Sequence, residues 1–183
     1  LRKRFAALTS AGVGALMVIL AAPAVAAPTA DTIVTFSVEA GSLDIVAPTG
    51  PIDLGSAPPG GTLTGQIGPV SVSGTRGGAD SVWTATVFAT DFTSGALTIP
   101  VGSVEYWSGP ATETTGGGVF IPGQPTAADA VPLTGTTLTA IPAMAHTGGT
   151  GGSTATWNPT LIVNIPITAQ VGDYTGTVTH QVA

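Results

Sequence analysis

The sequence has no cysteine, only four Lys and Arg, and 8% charged residues among its 183 positions. Each scarcity excludes something. Without thiols there is no disulfide framework, no thiolate metal site and no cysteine nucleophile. Three of the four bases, Arg2, Lys3 and Arg4, stand at the beginning of the sequence, so Arg76 is the one base beyond them, against ten Asp and Glu. A surface with one Arg cannot neutralise a phosphate backbone or attract anionic headgroups, so nucleic acid is not an expected partner. Long apolar runs are scarce too. The positive mean hydropathy comes from Ala, Val, Ile and Leu scattered among Thr and Gly, and beyond residue 26 nothing approaches the ~20 apolar residues of a membrane helix.

What is present begins with Arg2, Lys3 and Arg4, continues with an apolar run over 11–22, and ends in Ala24-Val25-Ala26. That order is the signature of a secretory signal peptide. The expected organisation is therefore a leader over 1–26 and a single secreted domain over 27–183, located outside the cell or at its wall. The final residues, Val178 to Ala183, offer no hydrophobic tail, basic stop or Leu-Pro-x-Thr-Gly sequence, and no Cys is available for a lipid anchor. Attachment to a cell is thus expected to be non-covalent.

Gly and Pro number 26 and 15, a share near that of disordered chains. Between their clusters, however, Val, Ile, Thr and aromatic residues alternate with period two, the pattern of half-buried strands. Strands are predicted at Thr32–Val38, with Val34, Phe36 and Val38 on one face, and at Ser42–Val46, the pair forming a hairpin over Ala40-Gly41. Ile67–Ser73 is a further short strand, weakened by Pro69. Val82–Ala89 puts Trp83, Ala85 and Val87 on one face. Leu161, Val163, Ile165 and Ile167 alternate likewise, and Tyr174, Val178, His180 and Val182 share a face of the last segment. Further strands are expected at 96–99, 102–107, 119–121 and 133–141. No segment has ten residues of helical period with a cap. The fold class is all-β: a single antiparallel β-sandwich of about 8 to 10 short strands joined by Gly/Pro-rich loops. Those loops include 57–61, 116–118 and 147–154, in which Gly serves as turn and spacer. Gly148-Gly149-Thr150-Gly151-Gly152 precedes a strand and has no following Lys, so it is not a phosphate loop.

Residues that carry chemistry are few. His146, in a Gly-rich loop, and His180, in the last strand, are the two histidines, and no His-x-x-x-His spacing starts a zinc site. Serines abound but no Gly-x-Ser-x-Gly elbow exists. Carboxylate pairs for glycoside hydrolysis could be drawn from Asp80, Asp91, Glu105 and Glu113, though ten acids chiefly serve solubility. Asp80, Asp91 and Asp129 are isolated, without the Asp-x-Asp-x-Asp run of a calcium loop. No cofactor, metal or catalytic residue is therefore expected, and the chain reads as non-enzymatic. Tyr106 and Trp107 are neighbours on a strand and point to opposite faces. Trp107, beside Ser108 and Gly109, can stack on a sugar or partner if it faces outward, whereas Trp83 and Trp157 read as core anchors. His180, if inward, makes a satisfied polar contact. Arg76 lies in a surface turn.

The ordering of these features carries a resemblance. The leader, the pair Thr35-Phe36-Ser37-Val38 and Gly41-Ser42-Leu43, the strand led by Trp83-Thr84-Ala85, and Gly172-Asp173-Tyr174-Thr175-Gly176-Thr177-Val178-Thr179 together resemble the WxL-domain surface proteins of Gram-positive bacteria. Here Trp83-Thr84-Ala85 and His180-Gln181-Val182 occupy the two Trp-x-Leu positions. The resemblance implies a secreted module held non-covalently at the cell wall through peptidoglycan or another surface protein, and marks Trp107, Tyr106, Tyr174 and His180 as possible contacts. Low charge leaves sheet edges unguarded, so the alternative reading is a subunit of an extracellular homo- or hetero-assembly formed by strand-edge pairing. A secreted hydrolase is the remote alternative.

Overall fold

Fourteen strands carry the structure, a computed structural model that describes residues 28, 30–77 and 81–183. The leader and Asp80 lie outside the described residues. In chain order the strands are β1 (Leu43–Val46), β2 (Thr62–Gln66), β3 (Val70–Gly74), β4 (Trp83–Ala89), β5 (Phe92–Ser94), β6 (Leu97–Ile99), β7 (Val104–Trp107), β8 (Ala111–Thr115), β9 (Val119–Pro122), β10 (Val131–Pro132), β11 (Ile141–Thr147), β12 (Ser153–Trp157), β13 (Thr160–Asn164) and β14 (Val178–Val182). Among the described residues the helical content is three 3-10 turns, at Val101–Ser103, Ala127–Asp129 and Thr137–Thr139. Val38–Ala183 forms one compact unit, and Leu1–Ser37 is assigned to another.

All named strand pairs are antiparallel, in sheets ordered β1-β3-β12-β8, β10-β7-β13-β2 and β14-β4-β11-β9, plus the hairpin β5-β6. The first two sheets are halves of one layer. Three strand pairs run consecutively from one half into the other: β2 into β3, β7 into β8, and β12 into β13. Their order across the layer, β2-β13-β7 beside β3-β12-β8, is the same on both sides. Each crossing contains a proline, at Ile67-Gly68-Pro69, Ser108-Gly109-Pro110 and Asn158-Pro159. Proline has no N–H to give to the ladder, so the layer creases where the three line up. The ladder resumes on either side, with Trp157 opposite Val70 and Thr160 opposite Gln66. The sheet β14-β4-β11-β9 is the second layer of the sandwich.

Alternation sorts the side chains as expected for such a sandwich. Trp83, Ala85, Val87 and Ala89 of β4 are buried, as are Val70 and Val72 of β3, Ala155 and Trp157 of β12, and Val104 and Tyr106 of β7. Trp83 and Trp157 are the largest buried side chains, as their expected role as anchors requires.

Several expectations are corrected. Thr32–Val38 is no strand, and Ile33, Val34, Phe36 and Val38 are exposed. β1 pairs with β3 instead, in the register Leu43 to Gly74. The cause is a clamp at the start of β1: Thr75 N–H donates to Ser42 O at 2.9 Å, and Ser42 N–H donates to Thr75 Oγ1 at 2.8 Å. Gly41 packs so tightly on the Thr75 backbone that a Cβ there would overlap the carbonyl, so the Ala40-Gly41 turn does not close a hairpin. The strand from Leu161 stops at Asn164, ahead of Pro166, and Ile167 is exposed. Residues 133–141 are mostly turn: Thr139 N–H bonds Thr136 O, and β11 begins only at Ile141. Tyr174 lies outside β14, where only an isolated bridge from Thr175 to Thr93 is formed. His146 is a buried strand residue of β11 rather than a loop residue.

Candidate functional site

The crease brings one side chain from each of three sheets into a hydrogen-bonded line. Trp157 of β12 donates its indole N–H to the Tyr106 hydroxyl of β7 at 3.2 Å, and that hydroxyl lies 3.2 Å from Nε2 of His180 on β14. Tyr106 has one proton to give. The described residues offer that buried proton no acceptor other than Nε2, so the hydroxyl donates to it and the His180 proton sits on Nδ1. Burial acts on both acids of the line. It pushes the Tyr106 hydroxyl far above its ordinary 10.0 against a smaller opposite effect of the Trp157 bond, and it pushes His180 down from 6.5 to about 4. Both are neutral at neutral pH, so the line is made of neutral donors and acceptors.

His180 also lines a cleft of about 310 Å³. One wall is the strap 47–54, which leaves β1 and runs without ladder bonds beside β2. Pro48 and Pro51 deny it regular pairing. Two glycines seat it: a Cβ at Gly68 would meet Pro48 Cγ at 2.7 Å, and one at Gly65 would meet Leu54 Cδ2 at 2.8 Å. The floor is Ile67 and Leu161, and the opposite wall is Phe92 with Thr177 and Val178. Gly176 lies under the Phe92 ring, where a Cβ would come within 2.7 Å of it. Apart from His180, no acid or base lines this cleft.

A second indole–hydroxyl–imidazole line occupies a different part of the core. Trp83 Nε1 donates to Ser153 Oγ at 3.0 Å, and Ser153 Oγ is 3.4 Å from His146 Nδ1. His146 Nε2 is 2.8 Å from the Gly117 carbonyl, to which it donates. The imidazole stacks on Trp83 with centroids 5.7 Å apart and meets Phe120 at 4.5 Å. Ser153 and His146 are both buried, and the imidazole is oriented by a carbonyl rather than a carboxylate. That arrangement satisfies a core histidine.

The outward face of the β1-β3-β12-β8 half is a different kind of surface. Its register aligns Asp44, Ser73, Thr154 and Thr115 in one cross-strand row, and Val46, Ser71, Thr156 and Glu113 in the next. Ser71 and Thr156 hydroxyls meet at 2.7 Å, Thr115 and Thr154 at 2.6 Å, and Thr112 Oγ1 donates to Thr156 O at 3.0 Å. Hydroxyls of successive outward residues on one strand repeat about every 6.7 Å and those of neighbouring strands about every 4.8 Å. The two acids stand on the outer strands, and no base belongs to either row.

Of the residues singled out in the sequence, Tyr106 and His180 come together. Trp107 points to the other face of β7, half-buried, with its ring over Gly109 and its Nε1 enclosed without a partner among the described residues. Tyr174 stands apart, donating its hydroxyl to Gln170 O at 2.9 Å and lining a groove of about 400 Å³ with residues of 96–100 and 166–170. Two of the candidate acids serve backbone turns and caps. Asp91 Oδ1 accepts from Val101 N–H at 2.8 Å, and Asp129 Oδ2 accepts from Thr126 N–H at 3.0 Å and from Thr126 Oγ1 at 2.6 Å. Among the described residues no three His, Asp or Glu converge on one point that could hold a metal ion. Sequence reasoning missed Trp157 as a partner of Tyr106 and missed the strap. The alternation Ser153, Ala155, Trp157 was available to it, but the preceding glycines assigned part of that stretch to a loop.

Fold and site together define an all-β sandwich with a creased layer, a small cleft beside His180, a groove beside Tyr174 and a hydroxyl-covered face. No family model matches the chain, and no curated protein matches it. Among solved structures, a family 123 glycoside hydrolase from Clostridium perfringens, described for its hydrolysis of glycolipid glycans, is similar with a TM-score of 0.34 and 15% identity. The match covers 69% of this chain and 19% of that one, so the chain spans about a fifth of that protein's length.

Proposed function

We propose that this chain is a secreted, non-catalytic surface module, a divergent relative of WxL-domain proteins, that holds non-covalently to cell-wall glycan or to a partner surface protein. The observation that carries the reading is the hydroxyl face of β1-β3-β12-β8. Thr and Ser there present donors and acceptors on a sheet without a single base, suited to exchanging hydrogen bonds with sugar hydroxyls and unsuited to attracting polyanions. Binding of that kind depends on hydrogen bonds and shape, so it resists salt. The test is retention of the purified protein on insoluble wall sacculi as salt is raised. Saturable, salt-resistant retention is expected, and absence of retention refutes wall binding.

A second reading, a subunit that assembles by edge pairing, has its own observation. Residues 32–38 alternate Val34, Phe36 and Val38 with polar residues, yet these apolar side chains are 78%, 85% and 86% exposed. A segment of this composition that pairs with no strand among the described residues is suited to adding to an open sheet edge. Light scattering after size exclusion distinguishes the readings, because a monomer at high micromolar concentration removes self-assembly.

A further inference from the structure

We propose that the cleft between the strap 47–54 and β14 is a small-molecule site for an uncharged ligand that has an apolar body and one hydrogen-bond acceptor, which His180 binds. This goes beyond wall adhesion and does not depend on it, since the hydroxyl face and the cleft share no residue.

Three features select the ligand. Size comes first: about 310 Å³ is at the small end of the range for small-molecule sites, room for one ring system or a short branched chain. The walls come second. Pro51 and Ile52 on the strap, Ile67 and Leu161 on the floor, and Phe92 and Val178 opposite are apolar, and no charged side chain faces them. A charged ligand would lose its hydration there without gaining a counter-ion. Third is the direction of the hydrogen-bonded line. Trp157 gives to Tyr106 and Tyr106 gives to Nε2 of His180, so the imidazole is left with Nδ1–H as a donor. Nδ1 has no protein partner among the described residues, and it is not among their fully enclosed unpartnered atoms. Thr49 and Thr177 also line the cleft with hydroxyls that can give or accept, whereas Nδ1–H can only give, so it is matched by a carbonyl or ether oxygen. The line also fixes the ring, because Tyr106 and Trp157 hold Nε2 from within the core. The ligand therefore meets a preoriented group.

The test uses two neutral naphthalenes and the full chain. 2-Acetylnaphthalene has the ring and the carbonyl, and 2-ethylnaphthalene has the ring alone. Titrated against 15N-labelled protein at neutral pH, the ketone is expected to bind saturably, to shift the His180 side-chain nitrogens, and to bind about tenfold more tightly than the hydrocarbon, the value of one net hydrogen bond. His180→Phe is expected to equalise the two probes. Ile52 is 46% exposed, so Ile52→Glu leaves the core untouched while placing a charge at the cleft, and it is expected to abolish binding of both. This second variant keeps the test decisive if the first does not fold. Absence of binding, equal affinity of wild type for the two probes, or binding that ignores Ile52→Glu would each overturn the assignment.

Discussion

Acid is the perturbation to which the Trp157–Tyr106–His180 line responds most strongly. Folding holds His180 neutral, with its pKa pushed down to about 4 by burial against an ordinary 6.5. As pH falls, the unfolded chain takes up this proton first, so stability present above pH 6.5 is lost progressively and the loss levels off below about pH 4. The full swing is about 3 kcal/mol, and about 2 kcal/mol of it has gone by pH 5. The assay is urea unfolding at pH 7.5 and pH 5.0 for the wild type and His180→Gln. Glutamine does not titrate, and its carbonyl can accept from the Tyr106 hydroxyl. All carboxylates are common to both proteins and cancel in the comparison. The wild type should lose about 2 kcal/mol more than the variant between the two pH values. Parallel losses would refute the argument, because they would mean that His180 titrates alike in the folded and unfolded chain.

Trp157→Phe, which removes the N–H that Tyr106 accepts and leaves a void beside it, should cost about 2 to 4 kcal/mol in chemical denaturation. Gly118 has φ +101 and lies where a Cβ would come 2.6 Å from His146 Nε2; Gly118→Ala should cost at least about 2 kcal/mol, seen as a lower thermal midpoint. Thr154→Val with Thr156→Val should leave stability within about 1 kcal/mol while reducing retention on sacculi. Unchanged retention would move the wall contact off the hydroxyl face. Phe36→Asp should leave thermal unfolding unchanged, since Phe36 is exposed, and should lower any self-association detected by light scattering.

How much of this was legible in the sequence depended on whether the signal was local. The all-β class, the buried face of β4, the opposite orientations of Tyr106 and Trp107, and the anchoring tryptophans Trp83 and Trp157 follow from period-two alternation, which burial enforces directly. The hairpin at Ala40-Gly41 failed because alternation says that a segment is strand-like but not which edge it joins. Thr75, more than thirty residues away, decides the partner of β1. The stretch 133–141 failed for the converse reason, since Leu133 sits just past the end of β10 and Ile141 at the start of β11, with the 3-10 turn Thr137–Thr139 between them. The site was half legible. His180 was expected to make a satisfied polar contact only if inward, and its bond to Tyr106 spans 74 residues, which no spacing rule reaches. The hydroxyl face was visible only as a preference for Thr at outward positions. Its continuity comes from β1, β3, β8 and β12 meeting in register.

The row of prolines that creases the front layer also governs which lengths the sequence can tolerate. Strand faces repeat every two residues, so the two halves agree on inside and outside only while the crossings at 67–69, 108–110 and 158–159 keep their present lengths. One residue added within any of them would exchange the faces of the strand beyond it, turning Thr or Ser toward the core and Val or Trp toward water. The glycine loop at 148–152 joins strands of different layers, so its length does not set the phase of the two halves; it is held instead by close backbone packing, with Gly149 against Gly117 and Gly152 against Gly74. Length variation is therefore expected to be absent along the crease, which acts as the ruler that keeps both halves in phase.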